Sequence, residues 1–260
     1  MYLIMTMIAL TIGFQVYQVI EASIGTSVNL DEIVRGFDYT IWCDFLNIHG
    51  ASLSPLFGQL RWHILIFLIM SIFMHGGILS NIRLDHVRWT KFWSGGARNF
   101  YPFTVIGIFY SIVMLLWTIV IWAPFFINLF TLIERFDRES PIIWMLCVLA
   151  IIWIVGLGFV YASSLHSRLR YLDNDTKIWT SIQFGMGYSF RRFWKILIIL
   201  ALFFFSLLLV YLMNHSLEIG LTISTPWLIF LFLVIQQMFI LAKIFLRVAS
   251  MASFNSLLDE

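Results

Sequence analysis

The sequence predicts an all-α fold, a polytopic membrane helical bundle of about six transmembrane helices, on three observations. Of 260 residues, 61% are hydrophobic and 12% charged, far from the balance of a water-soluble domain. The apolar residues gather in stretches of about 20 or more, the length a helix needs to cross a hydrocarbon core roughly 30 Å thick. Short alternating strands, which a membrane barrel requires, are missing, and a helix satisfies its backbone hydrogen bonds within its own segment.

Six segments meet the length criterion: 2–24, 62–82, 102–130, 141–165, 193–213 and 226–247. The first carries Gln15, Gln18 and Glu21 three apart, on one helical face. It opens at Met1 without a basic region and closes on no small-residue cleavage pattern, so a retained helix is expected rather than a signal peptide. From Asn29 to Leu60 runs the one sizeable piece between crossings. Asp31 can cap a helix there, and Ile33, Val34, Phe37, Ile41, Phe45 and Ile48 recur at three- or four-residue steps up to His49 and Gly50. This predicts one extracytoplasmic amphipathic helix on the membrane surface, ended before Pro55. Asp38, Asp44 and His49 have no ligand spacing and read as its solvated face.

The second crossing ends near His75, Gly76 and Gly77, a pair of glycines that lets a neighbouring helix approach or the helix bend. Next comes a basic, aromatic connector. Arg83, Arg88, Lys91 and Arg98 stand among Trp89, Phe92, Trp93, Phe100, Tyr101 and Phe103, a composition suited to the headgroup level. An elbow helix is expected, divided from the third crossing by Gly95 and Gly96, with Pro102 in the first turn of the new helix. Pro124 predicts a kink near the end of that crossing. Pro141 opens the fourth, which ends at Ser163, Ser164, His166 and Ser167.

The connector then returns. An offset of 87 pairs Ser80 with Ser167 and Arg83 with Arg170; an offset of 90 pairs Trp89, Thr90, Gly95, Phe100 and Phe103 with Trp179, Thr180, Gly185, Phe190 and Phe193. The unit is crossing, elbow, crossing, so the sequence reads as a single integral membrane domain with a parallel internal repeat over 62–130 and 141–213. The sixth crossing holds Gln236, Gln237 and Lys243 and runs into a small-residue tail.

Positive charge in short loops follows the cytoplasm, and both elbows hold most of it, so two cytoplasmic amphipathic elbow helices are expected, with both termini inside. The setting this implies is a bacterial cytoplasmic, or inner, membrane. A net charge of +2 spread over short loops excludes a nucleic-acid partner. Cys43 and Cys147 have no CxxC spacing, and no HExxH, GxSxG or Walker pattern occurs, so no catalytic residue, cofactor or metal site is expected. His63, His75 and His166 with Ser163 and Ser164 are the groups nearest to a catalytic set.

The glycine-bearing aromatic elbow before a long apolar helix, FWSGGARNFYPF and again FGMGYSFRRFW, resembles a pattern in several uncharacterised polytopic bacterial membrane families. One is the membrane domain that precedes some glycerophosphodiester phosphodiesterases. The resemblance covers the middle half of the chain and implies no catalytic residue, since the catalysis of those enzymes belongs to a separate soluble domain.

The expected function is therefore that of a non-enzymatic integral membrane protein that handles lipid or a small solute within the bundle. The alternative is a structural or assembly subunit of a larger membrane complex. Membrane lipids are the expected partners, with other membrane subunits or a second copy in the alternative. Arg98, Arg191 and Arg192 are the candidate lipid-headgroup contacts, beside aromatic anchors. Gln15, Gln18, His75, Gln236 and Gln237 are the candidate polar lining of the bundle.

Overall fold

The computed structural model describes residues 2–24, 39–82, 84, 86–129, 131, 133, 140–174, 177–220 and 226–259. Among them the regular structure is entirely helical: α1 (Tyr2–Ile24), α2 (Tyr39–Ile82), α3 (Trp89–Arg98), α4 (Phe100–Ile127), α5 (Ser140–Asn174), α6 (Ile178–Arg191), α7 (Phe193–Gly220) and α8 (Pro226–Asp259). Five stretches are long and apolar enough to cross a membrane: Gly58–Ile82, Phe100–Ile127, Ser140–Asp173, Phe193–Leu217 and Phe230–Leu258. Their side chains are largely unburied within the chain. Phe205 and Leu209 on α7 are 64% and 59% exposed, a surface that water would not tolerate and hydrocarbon would cover. The protein is a multi-pass membrane protein.

Two compact units meet within α2, one spanning Met1–Met74 and the other His75–Glu260. In the first, α1 has the expected bounds and His63 ties α2 to it. The His63 ring donates from Nδ1 to the Gln59 carbonyl at 3.0 Å, which leaves Nε2 to accept from the Thr11 hydroxyl at 3.1 Å. Helix α2 departs from expectation. It is one 44-residue helix through His49, Gly50 and Pro55, where an amphipathic helix and a separate crossing were expected. One proline removes one bond of the ladder, and the bonds on either side carry the helix past it. Asp31, Ile33, Val34, Phe37 and Asp38 of the expected amphipathic segment lie outside the described residues, as do the side chains of Asp44 and His49.

In the second unit α5 is central, packed on α4, α6, α7 and α8, while α7 and α8 also pair with each other. Its core joins Ile106 and Tyr110 of α4, Val160 of α5 and Ile182 of α6. Tyr110 is buried with its hydroxyl 2.8 Å from Ser167 Oγ, so the one phenol in this core is satisfied.

Three boundaries differ from the sequence reading. Gly95 and Gly96 do not divide the elbow from the third crossing: both lie within α3, and the break falls at Asn99. They are buried because α2 passes so close that a Cβ on Gly76 would stand 3.1 Å from Gly95 O and 3.2 Å from Gly96 Cα. The serine cluster does not end the fourth crossing either. Ser163 and Ser167 donate to the carbonyls of Phe159 and Ser163 one turn back, so their hydroxyls are satisfied by the helix itself and α5 continues to Asn174. Nor does α8 stop at 247, since its small residues pack: Ser250, Met251, Phe254, Asn255 and Leu257 are all buried. Pro124 lies three residues before the end of α4, and Asn128 closes that last turn by donating its side-chain amide to the Pro124 carbonyl at 2.7 Å.

Candidate functional site

The buried polar residues of the second unit collect where the end of α2, the start of α4, the end of α5, α6 and the end of α8 meet. Two joints of like construction hold this end. In the first, Ser80 donates to Gly76 O at 2.7 Å, and Asn99 Nδ2 donates to Gly95 O at 2.9 Å and to Ser80 Oγ at 3.3 Å. A Cβ on Gly95 would lie 2.5 Å from the Ser80 Cβ. In the second, Ser167 donates to Ser163 O at 2.9 Å, and a Cβ on Gly185 would lie 2.6 Å from Ser163 O and 2.8 Å from Ser167 N. The serine and glycine that meet in one joint are the partners, at offsets of 87 and 90, of those that meet in the other.

Around the second joint the polar groups form a chain. His166 is fully buried, its Nδ1 is 3.0 Å from Ser189 Oγ, and its ring stands edge-on to Tyr188 and Phe254; its Nε2 has no hydrogen-bond partner among the described residues. Tyr188 and Arg192 both donate to the Leu257 carbonyl, a group in the last turn of α8 that has no partner within the helix. Arg192 also lies over the Tyr188 ring at 5.3 Å. At the other side, Arg247 Nη2 is 3.2 Å from His75 Nε2; guanidinium can only donate, so His75 accepts there and is neutral in this arrangement.

Of the candidate headgroup contacts, Arg98 and Arg191 end α3 and α6 and are exposed, whereas Arg192 is half-buried on Leu257. Of the candidate polar lining, Gln15 is half-buried and Gln18 exposed on α1 in the first unit. In the second unit His75 is buried against Arg247, and Gln236 and Gln237 are half-buried on α8. Gln236 precedes Arg247 by eleven residues, about 16 Å along the helix, so it does not share the site of His75.

Between α5 and α7 lies an apolar cavity of about 450 Å³, lined by Ile151, Val155, Gly158, Leu197, Ala201 and Phe204 among others. Three rings crowd its end next to α6: Phe159 is 4.7 Å from Phe190 and 5.9 Å from Phe193. Arg191, Arg192 and Lys195 follow within two residues of those rings, with Arg191 and Lys195 exposed.

Sequence reasoning missed Arg168 and Tyr110. By ending the fourth crossing at 165 it left Arg168 in a loop, although Ala162, Leu165 and Leu169 continue the apolar stripe at helical spacing and all are buried. Tyr110 gave no signal among so many aromatic residues. No group of three or more metal-ligating side chains occurs among the described residues, and Cys43 and Cys147 are free thiols. No protein-family model, curated protein or solved structure matches the chain.

Proposed function

We propose that this is a non-enzymatic membrane protein that holds a phospholipid on its second unit, with one acyl chain in the α5–α7 cavity and the phosphate on Arg191 and Lys195. The cavity and its position carry this reading. A wholly apolar trough along two membrane-crossing helices suits a hydrocarbon chain, and it ends at three aromatic rings with cations immediately beyond. Arg98 serves the corresponding role at the end of α3, and Arg192 joins the headgroup region while holding the end of α8.

In this reading α1 is the sixth crossing, both elbows lie on the inner leaflet of a bacterial cytoplasmic membrane, and the two serine–glycine joints are copies from a duplicated crossing–elbow–crossing unit. Their like contacts and the basic composition of both elbows support it.

Purification in mild detergent followed by native mass spectrometry tests it. The wild type is expected to retain phospholipid, and Ala201→Trp, which fills the cavity, to lose most of it. Retention unchanged in Ala201→Trp, or a stoichiometric protein with no lipid, would overturn the reading, the second in favour of a subunit of a larger complex.

A further inference from the structure

A second cationic site lies on the opposite flank of α5 from the lipid cavity. Arg168 extends from α5 toward α4, with its guanidinium carbon 5.6 Å from the centre of the Phe103 ring. Its Nη2 occupies the space left open by Gly107, where a Cβ would stand 3.3 Å away. Its Nε is shut off from solvent and has no hydrogen-bond partner among the described residues. Arg247 of α8 is near enough for the two positive charges to oppose each other, and the side-chain contact it makes, to the His75 ring, brings no negative charge.

Two guanidinium groups brought together in a membrane-crossing bundle are costly unless an anion lies between them. Guanidinium is also the side chain best shaped to take two oxygens of one phosphate or carboxylate. The one carboxylate of the second unit whose side-chain placement is described, Asp173, is exposed.

We propose that Arg168 and Arg247 form a recessed site for an oxyanion of the phosphate type, with His75 positioning Arg247 and the missing side chain of Gly107 leaving room for Arg168. The site is independent of the proposed lipid cavity. Arg168 faces α4, whereas the cavity lies between α5 and α7. Its ligand is either free phosphate or the phosphate of a lipid headgroup, both presenting the same oxygens to the same two arginines.

The experiment is thermal unfolding of the full chain in two settings. In dodecyl maltoside, phosphate is compared with chloride at equal ionic strength; in nanodiscs, phosphatidylglycerol is compared with a phosphate-free galactolipid. We expect a rise in Tm of about 4 °C or more with phosphate or with phosphatidylglycerol. A response to phosphate alone identifies the free anion, and one confined to phosphatidylglycerol identifies the headgroup. Either response should disappear in Arg168→Gln and Arg247→Gln and persist, weakened, in Arg168→Lys. It should also persist in the Arg191→Glu, Lys195→Glu double variant, which separates this site from the lipid cavity. The absence of any response in the wild type, a measurement that needs no variant, would overturn the proposal. So would a response that survives in both glutamine variants.

Discussion

Gly185 and Gly187 sit two residues apart on α6 and should behave oppositely. A Cβ at Gly185 meets Ser163 O at 2.6 Å and the backbone of Ser167, neither of which can rotate away. Gly185→Ala is therefore expected to destabilise by about 1–3 kcal/mol. Nothing lies within 4 Å of the same position at Gly187, so Gly187→Ala should be neutral or stabilise by up to about 1 kcal/mol, as alanine does in an exposed helix. Thermal unfolding in detergent separates the two, and equal shifts would show that the joint is looser than described. Tyr110→Phe removes the hydroxyl facing Ser167 but leaves Ser167 donating to Ser163 O, so its cost should stay near 1 kcal/mol.

At the scale of elements, the end of α8 is fastened from outside its own helix. The Leu257 carbonyl takes hydrogen bonds from Tyr188 and Arg192, and Phe254 lies against His166. Combining Tyr188→Phe with Arg192→Gln should free the last turns. Hydrogen exchange over 250–258 should rise at least tenfold, with little change in α4 or α5; uniform exchange across the chain would show that these bonds do not fasten the tail. The existence of the long helices was legible because apolar length is enough to announce them. Their ends were not. Serines that bond to their own helix look like terminators, glycines that admit a neighbouring backbone look like breaks, and Pro55 looks like a stop. In each case the deciding partner sits on another turn or another helix, where a reading of local residues does not reach. The pairing of Ser80 with Ser167 and of Gly95 with Gly185 was nevertheless visible as two offsets, because like joints need like small residues.

Considered across the whole molecule, exposed apolar side chains along five membrane-length helices require a bilayer, and the basic elbows set its polarity. With Cys43 and Cys147 replaced by alanine, single cysteines at exposed Lys91 and Thr180 should react with a membrane-impermeant maleimide only after the cells are opened. Labelling of either position on intact cells would reverse the orientation and remove the elbows from the inner leaflet. The candidate site was legible in its cations and not in its geometry: Arg191 was found from its aromatic neighbours, while Arg168 emerged only when α5 proved to run past the serines.

The spacing of the tying contacts along the chain also bears on biogenesis. The first joint closes over 19 residues, from Asn99 to Ser80, and His166 reaches Ser189 over 23, so each hairpin can settle as soon as its own two helices have left the ribosome. The bonds that α8 makes span 69 residues to Tyr188 and 172 to His75, and wait for the last segment to be synthesised. Until then the newborn protein carries finished bends with an unsealed seam, the stage at which an insertion chaperone would find something to grip.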